Sequence, residues 1–300
     1  MGPSSVNLGS MKKVLVLLAL LGLSIGLAQA PIKIRLGFNP TQNSDQLKPA
    51  AQAIADFIEK EFKGTVEVEI FIPTEYRGLI EAMRGGKLDF AFFPPDGYVL
   101  ANREAGAQVM LKSVRFGNPF YWSAIIVRKD SGIKRIEDLE GKTIAWVDPV
   151  SAAGYVFPRA ALISRGIFPD KFFSKQVNAG KHDAVVLSVL NKSVDAGATF
   201  ANDDRNKSGA WTQFLKPAEA AQLTAIFYSK PIPGDTFTVS KEFLTKYPNL
   251  SRGIAAAIQR IRAPQNKLLL NLYRIDWMMP AVDSDYDVVR EARKISGQDK

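Results

Sequence analysis

The chain has 300 residues, no cysteine, 46% hydrophobic and 23% charged residues, and a formal charge of +9. This composition excludes a disordered or fibrous protein and supplies enough chain for two lobes with separate cores. The lack of cysteine excludes disulfides, thiolate catalysis, cysteine-based zinc sites and a lipid anchor on an N-terminal cysteine.

Met11-Lys12-Lys13 precedes an apolar run from Val14 to Leu23 and then small residues through Ala30, the pattern of a secretory signal peptide. Residues 1–30 are read as this exported leader. Ala28-Gln29-Ala30 marks one cleavage site, before Pro31, but proline is a poor residue after the cut. Gly26-Leu27-Ala28, with cleavage before Gln29, competes. Met11 is an alternative start, which leaves residues 1–10 as an extension with no assigned role. With Lys12 and Lys13 set aside, 37 basic residues face 30 acidic ones. Such a surplus suits nucleic acid, an anionic membrane surface or small anions. The basic residues are scattered, however, and no aromatic-basic run marks a nucleic-acid reader. Beyond the leader no apolar stretch approaches the ~18 residues of a membrane span. The expected location is the periplasm, without a lipid anchor.

Ile32–Phe38 alternates as a strand does, and Leu47 to Phe62 carries apolar residues at helical spacing. A second alternating strand follows at Val66–Phe71, a short helix at Tyr76–Arg84 before Gly85-Gly86, and a third strand at Leu88–Phe93, ended by Pro94-Pro95. This order predicts parallel strands with crossover helices. The rhythm restarts with a strand near Tyr121–Val127, a short helix and glycine turn at 136–142, and a strand at Thr143–Val147. A helix from Ser151 or Ala152 to about Arg165, a strand ending near Asn178, a helix at His182–Asn191 and a strand at Ser193–Phe200 complete a second unit. Ser229–Asp235 is too rich in proline for a helix, Thr236–Ser240 reads as a strand, and the remainder is mostly helical. Two β/α halves joined by extended segments near 118–121 and 228–235 predict a hinged cleft. Ligands of open α/β sheets sit at the carboxyl ends of such strands.

Ser151 lies at one of those ends, in "WVDPVSAAGYVFPRAAL". A serine N-cap followed by small residues leaves the first helical amides open, a ready site for an anion. Taken alone, the stretch also describes an ordinary capped surface helix.

Four stretches, "TEYRGLIEAMRGGKLDFAFF", "YWSAIIVRKDSGIKRIEDLEGKTIAWVDP", "NAGKHDAVVLSVLNKSVDAGATF" and "SKPIPGD", occur in this order between Ile32 and Asp235. Together they resemble the phosphonate, phosphite and phosphate-type substrate-binding proteins of ABC importers. The resemblance implies a two-lobed type II periplasmic binding fold, an α/β fold in which each lobe is a mostly parallel sheet flanked by helices. Residues 31–119 with 229–300 would form one lobe and 120–228 the other. The lobes would close on a small anion and present it to ABC permease subunits.

The same resemblance implies ligand contacts by the hydroxyls of Tyr76 and Tyr121 and by His182, the only histidine. An imidazole at a helix start can donate to an anion, and its charge ordinarily follows pH. Asp235 matches an acidic residue facing the ligand, which suits an anion carrying a proton or an amino group. Asn202 falls where aminophosphonate binders have an acid, and an amide does not neutralise an ammonium. Around Ser151 the family pattern is Ser-Thr-Ser-Gly or Ser-x-Ser-Gly, whereas this chain has Ala152 and Ala153. A neutral hydrogen bond contributes only about 0.5–1.5 kcal/mol net. Backbone donors at 151–153 therefore remain able to hold an oxyanion. The departure leaves a reduced or substituted phosphorus species, or another anion with an apolar part against the alanine methyls, as plausible as a phosphonate.

One histidine, no cysteine and no GxSxG, HExxH or P-loop pattern leave little for an enzyme. No metal or other cofactor is expected, the Asn202-Asp203-Asp204 run being ordinary loop chemistry. The reading is a monomeric receptor for a small phosphorus oxyanion. A receptor for a sulfonate or carboxylate, or a ligand-sensing partner of a membrane signalling protein, stands as the alternative.

Overall fold

The computed structural model describes residues 1–2, 30–41 and 44–299. The leader read from residues 1–30 thus falls, its ends apart, outside the described residues. Among those described, twelve strands build two six-stranded sheets. In chain order they are β1 (Ile32–Phe38), β2 (Val66–Phe71), β3 (Phe90–Phe93), β4 (Gln108–Val114), β5 (Phe120–Arg128) and β6 (Thr143–Trp146). Then come β7 (Lys175–Asn178), β8 (Ala196–Ala201), β9 (Leu223–Tyr228), β10 (Ile232–Pro233), β11 (Thr236–Val239) and β12 (Trp277–Pro280). The first sheet runs β12-β4-β11-β3-β1-β2, and the second β10-β5-β8-β6-β7 with β9 also on β5. Each sheet with its helices is one lobe of the expected α/β fold.

The sheets are mixed, which corrects the expectation of mostly parallel ones. In each, two of five pairings are parallel and three antiparallel. The reason is where strands enter. Consecutive β/α units supply the parallel pairs β1 with β2 and β3, and β6 with β7 and β8. β5 and β11 arrive from the opposite lobe, so each starts at the cleft and runs against neighbours that end there.

Period-2 alternation divides the core into three layers. On β3, Phe90 and Phe92 point into the outer core of the first lobe, with Leu47, Ile54 and Ile58 of the helix Ser44–Glu61. Ala91 and Phe93, on the other face, join a central cluster that also contains Ala124 and Ile126 of β5. Ile125 and Val127 of β5 turn the other way, into the outer core of the second lobe. The two lobes thus share one apolar layer. The helix Asp287–Ile295 packs on both the helix Pro95–Ala105 of the first lobe and the helix Phe157–Ile163 of the second. It is tied to the first by the buried Arg293 guanidinium, which donates to Asp96 at 2.6 Å.

Several elements were not legible in advance. β4 lacks clean alternation, and β12 is a four-residue edge strand whose last residue is Pro280, tolerated because an edge has an unpaired side. Pro94-Pro95 does end β3, yet Pro95 also opens the helix Pro95–Ala105, its fixed φ and missing N–H being suited to a first turn. The helix expected from Ser151 begins with one π turn, Ala152–Val156, before regular helix at Phe157–Ile163. Val156 N–H accordingly reaches back to the Ser151 carbonyl at 3.1 Å. Gly154 lets this turn lie on β6's exit: its carbonyl accepts from Val147 N–H at 3.1 Å, and an added Cβ would overlap Val147 Cβ and Cγ2.

Gly154→Ala is expected to lower stability by about 1–3 kcal/mol, the cost of overpacking a filled core. Val147→Ala in the same chain should recover part of that loss in denaturant unfolding. An unchanged midpoint for the single variant would show that the turn does not rest on Val147.

Candidate anion site in the interlobe cleft

The carboxyl ends of four strands and both crossovers between the lobes meet at one cavity of about 50 Å³. Asn39 and Thr41 follow β1, Pro94 follows β3, and Ser151 follows the loop after β6. Phe200 is near the end of β8 and Asn202 follows it, Gln213 and Phe214 lie on the short helix Ala210–Phe214, and Tyr273 closes the helix Leu268–Tyr273. Arg115 and Tyr121 come from the β4-to-β5 crossover, and Asp235 from the β10-to-β11 crossover.

The crossovers are bonded to each other. Ser113 N–H donates to the Asp235 carbonyl at 2.8 Å and Gly234 N–H to that of Pro119 at 2.9 Å. Ile232 of β10 pairs with Tyr121 of β5. These bonds place Tyr121 and Asp235 side by side although 114 positions separate them in the sequence.

Of the eight residues singled out from the sequence, Tyr76, Tyr121, Ser151, His182, Asn202 and Asp235 line this cavity. Tyr76 precedes the helix Arg77–Arg84 and is 2% exposed, and its hydroxyl has no hydrogen-bond partner. A buried unpaired hydroxyl costs about 1–3 kcal/mol, so its orientation is held by the surrounding packing. Burial is also the main reason that the Tyr76, Tyr121 and Tyr273 phenols are held well above their ordinary ionisation range. All three stay protonated and able to donate.

Ala152 and Ala153 are not among the cavity walls. Their methyls are buried in the central apolar cluster, and what they offer is backbone. Ser151 N–H is taken by the Asp148 carbonyl at 2.8 Å, and Gly154 N–H by Ser151 Oγ at 3.1 Å. The Ala152 and Ala153 amides donate to no acceptor among the described residues. Asn202 is partly committed as well, its side-chain amide donating to Ser208 Oγ at 2.8 Å.

His182 opens the helix His182–Leu190, its Nδ1 is 2.8 Å from Thr199 Oγ1, and its ring meets Phe200 edge-on. Burial, with a smaller effect of the Arg115 charge, lowers its pKa from 6.5 to about 3. The imidazole of the unliganded protein is therefore neutral across physiological pH, and its charge does not follow pH as the sequence suggested.

Sequence reasoning missed Arg115, whose position after β4 carries no motif. Its Nη2 donates to Asp235 Oδ2 at 2.5 Å, its Nε to the Tyr273 carbonyl at 3.0 Å, and its guanidinium lies 5.8 Å from the Tyr121 ring centre. The carboxylate that would repel an anion is thus already neutralised. Asn39 was missed too; its carbonyl accepts from the Tyr273 hydroxyl at 2.9 Å, while its Oδ1 is buried without a partner. Among the described residues no three His, Asp or Glu side chains are grouped to hold a metal ion, and no helix is long and apolar enough to cross a membrane.

The His182 shift sets a pH dependence of stability. Below pH 6.5 the unfolded chain takes up a proton that the folded one refuses until about pH 3, so stability falls as pH drops through that window. His182→Gln should show a shallower fall between these limits in denaturant titrations. An imidazole NMR titration with its midpoint near 6.5 would contradict the buried neutral ring.

Residues 36–286 match the family described as "ABC transporter, phosphonate, periplasmic substrate-binding protein". The phosphate-import protein PhnD of Mycolicibacterium smegmatis is 28% identical over 288 residues, covering 90% of this chain and 88% of that protein. The phosphonates-binding periplasmic protein of Escherichia coli is 30% identical over 267 residues, covering 85% and 74%. In fold, the chain is similar to PhnD1 of Prochlorococcus marinus in complex with methylphosphonate, with a TM-score of 0.76 and 18% identity over 89% of this chain and 99% of that one. A match that takes in both sheets and every wall of the cavity makes this chain a member of the phosphonate-type periplasmic substrate-binding proteins of ABC transporters.

Proposed function

We propose that this protein captures a small phosphorus oxyanion, a phosphonate, phosphite or related species, and hands it to the permease of an importer. The observation that carries this reading is a small cleft rich in uncommitted donors. They are the buried hydroxyl of Tyr76, which has no hydrogen-bond partner, and, next in sequence to the wall residue Ser151, the Ala152 and Ala153 amides, which donate to no acceptor among the described residues. Tyr121, Ser151 and neutral His182 complete the set, and a cavity of about 50 Å³ suits a ligand of few heavy atoms. Amides at the start of a helical segment favour negative charge without needing a bare cation. Relatives named for phosphate import and for phosphonates point the same way.

The mechanism is closure. Residues 31–119 with 229–300, and residues 120–228, act as two bodies hinged at the crossovers. The ligand bridges Tyr76 on one to Ser151–Ala153 and His182 on the other, so its binding energy stabilises the closed form that the permease recognises. The protein works as an exported monomer in the periplasm and carries out no reaction.

Calorimetry with phosphate, phosphite, hypophosphite, methylphosphonate, methanesulfonate and acetate tests the ligand class. Binding of at least one phosphorus oxyanion is expected. Binding of methanesulfonate or acetate with none of the phosphorus species would replace this reading with the sulfonate or carboxylate one.

Tyr76→Phe separates a ligand contact from a structural role. Removing a buried hydroxyl without a partner should leave the melting temperature unchanged or raised. Loss of a donor to a charged ligand should weaken binding roughly tenfold or more. Unchanged affinity would remove Tyr76 from the site.

A further inference from the structure

Among the described residues, Arg115 and Asp235 are the only charged side chains in the cavity walls. They are bonded to each other and are both largely buried, with side-chain exposures of 15% and 13%. Arg115 is fixed on two further sides, by the Tyr273 carbonyl and the Tyr121 ring. Asp235 gives Oδ2 to Arg115, while Oδ1 accepts no hydrogen bond among the described residues. The unliganded cleft therefore holds one positive and one negative charge, and one carboxylate oxygen left as a pure acceptor.

We propose that Arg115, through Asp235, sets the charge state of the ligand. The pair leaves the cleft electrically neutral and keeps Asp235 Oδ1 free to accept a hydrogen bond from P–OH, so the protein binds the singly charged, protonated phosphorus oxyanion and discriminates against the dianion. The inference rests on the phosphorus-oxyanion reading above and adds the ionic form that is recognised. Two physical arguments favour it. The cost of burying charge rises steeply with its size, and this cleft offers dipoles but no surplus cation against a second negative charge. An ionised carboxylate is an acceptor only, so a ligand oxygen facing it must bring its own hydrogen. Arg115 is a positioning residue: without its guanidinium Asp235 would be a semi-buried charge lacking compensation, and every anion would be repelled.

Of the groups packed around the pair, Asp96, which acts on Tyr121, is raised by burial to about 6, so a titration above the ligand's second ionisation belongs to the ligand. Tyr76, Tyr121, Tyr273 and Tyr286 interact electrostatically with Asp235, and burial raises all four phenols well above their ordinary range. His182 is near enough to Arg115 to feel its charge and is neutral above about pH 3.

Calorimetric affinity for methylphosphonate, measured on the purified protein from about pH 5 to about pH 9, tests the proposal. Affinity should fall about tenfold for each pH unit above the ligand's second ionisation, as linkage requires when one protonation state binds. His182→Gln should keep that slope, and Asp235→Asn should flatten it and improve binding of methanesulfonate, which has no proton to give. Arg115→Met should weaken methylphosphonate at every pH, and Arg115→Lys should restore part of the loss. A flat profile in the parent protein, loss of the slope in His182→Gln, or full affinity in Arg115→Met would each overturn the proposal while leaving the receptor reading in place. No binding of any phosphorus oxyanion at any pH would overturn the receptor reading itself.

Discussion

The ion pair between Arg115 and Asp235 sits where the chain crosses between lobes in both directions, and much of the cleft's character depends on it. A carboxylate alone in a largely buried cavity is costly and hostile to anions; a guanidinium alone would grip any anion and resist release. Joined, the two offset each other's desolvation only because further bonds fix the geometry. Those bonds come from backbone: the Tyr273 carbonyl on Arg115, and the Ser113 and Gly234 amides tying one crossover to the other. The pair thus belongs to the crossovers as much as to the cavity.

Around that neutral centre the proposed grip on an anion comes from dipoles. The π turn at Ala152–Val156 widens the first turn so that Ser151's carbonyl receives both Tyr155 N–H at 3.0 Å and Val156 N–H at 3.1 Å. The Ala152 and Ala153 amides, as first-turn amides, have no intrahelical acceptor and donate to none among the described residues, which is the condition for offering them to a ligand. Gly154 makes the arrangement possible by lying directly on Val147. Preorganised amides need no reorientation when the ligand arrives, whereas lysine or arginine side chains lose rotamer freedom on binding.

Much of this was legible in the chain. β2 alternates buried Val66 and Val68 with exposed Glu67 and Glu69, and the helix Ser44–Glu61 buries Leu47, Ala51, Ile54 and Ile58 at helical spacing. Such elements are fixed by local periodicity and were read within a few residues. Six of the eight candidate residues also line the cavity, because motifs hold them at strand ends and helix starts. The unread part depends on tertiary contact. Arg115 and Asn39 become cavity walls only through the crossover geometry and the return of Tyr273. The antiparallel entry of β5 and β11 follows from which lobe they come from, and the His182 charge follows from burial that no local pattern reports.

The two alanines illustrate how packing and function constrain one another. Ala152 and Ala153 are 1% and 2% exposed and belong to the apolar layer shared by the lobes, alongside Val150 and Val156. A hydroxyl on either side chain would have to find a partner within that layer or reach the ligand, and an unsatisfied one would cost about 1–3 kcal/mol. Methyls avoid that cost and add to the interlobe contact, at the loss of two donors. On the proposed site the ligand is then satisfied by amides and phenols, which are neutral. Neutral donors hold a singly charged anion adequately and a doubly charged one poorly, so on the proposed site the two methyls and the neutralised Asp235 favour the same kind of guest.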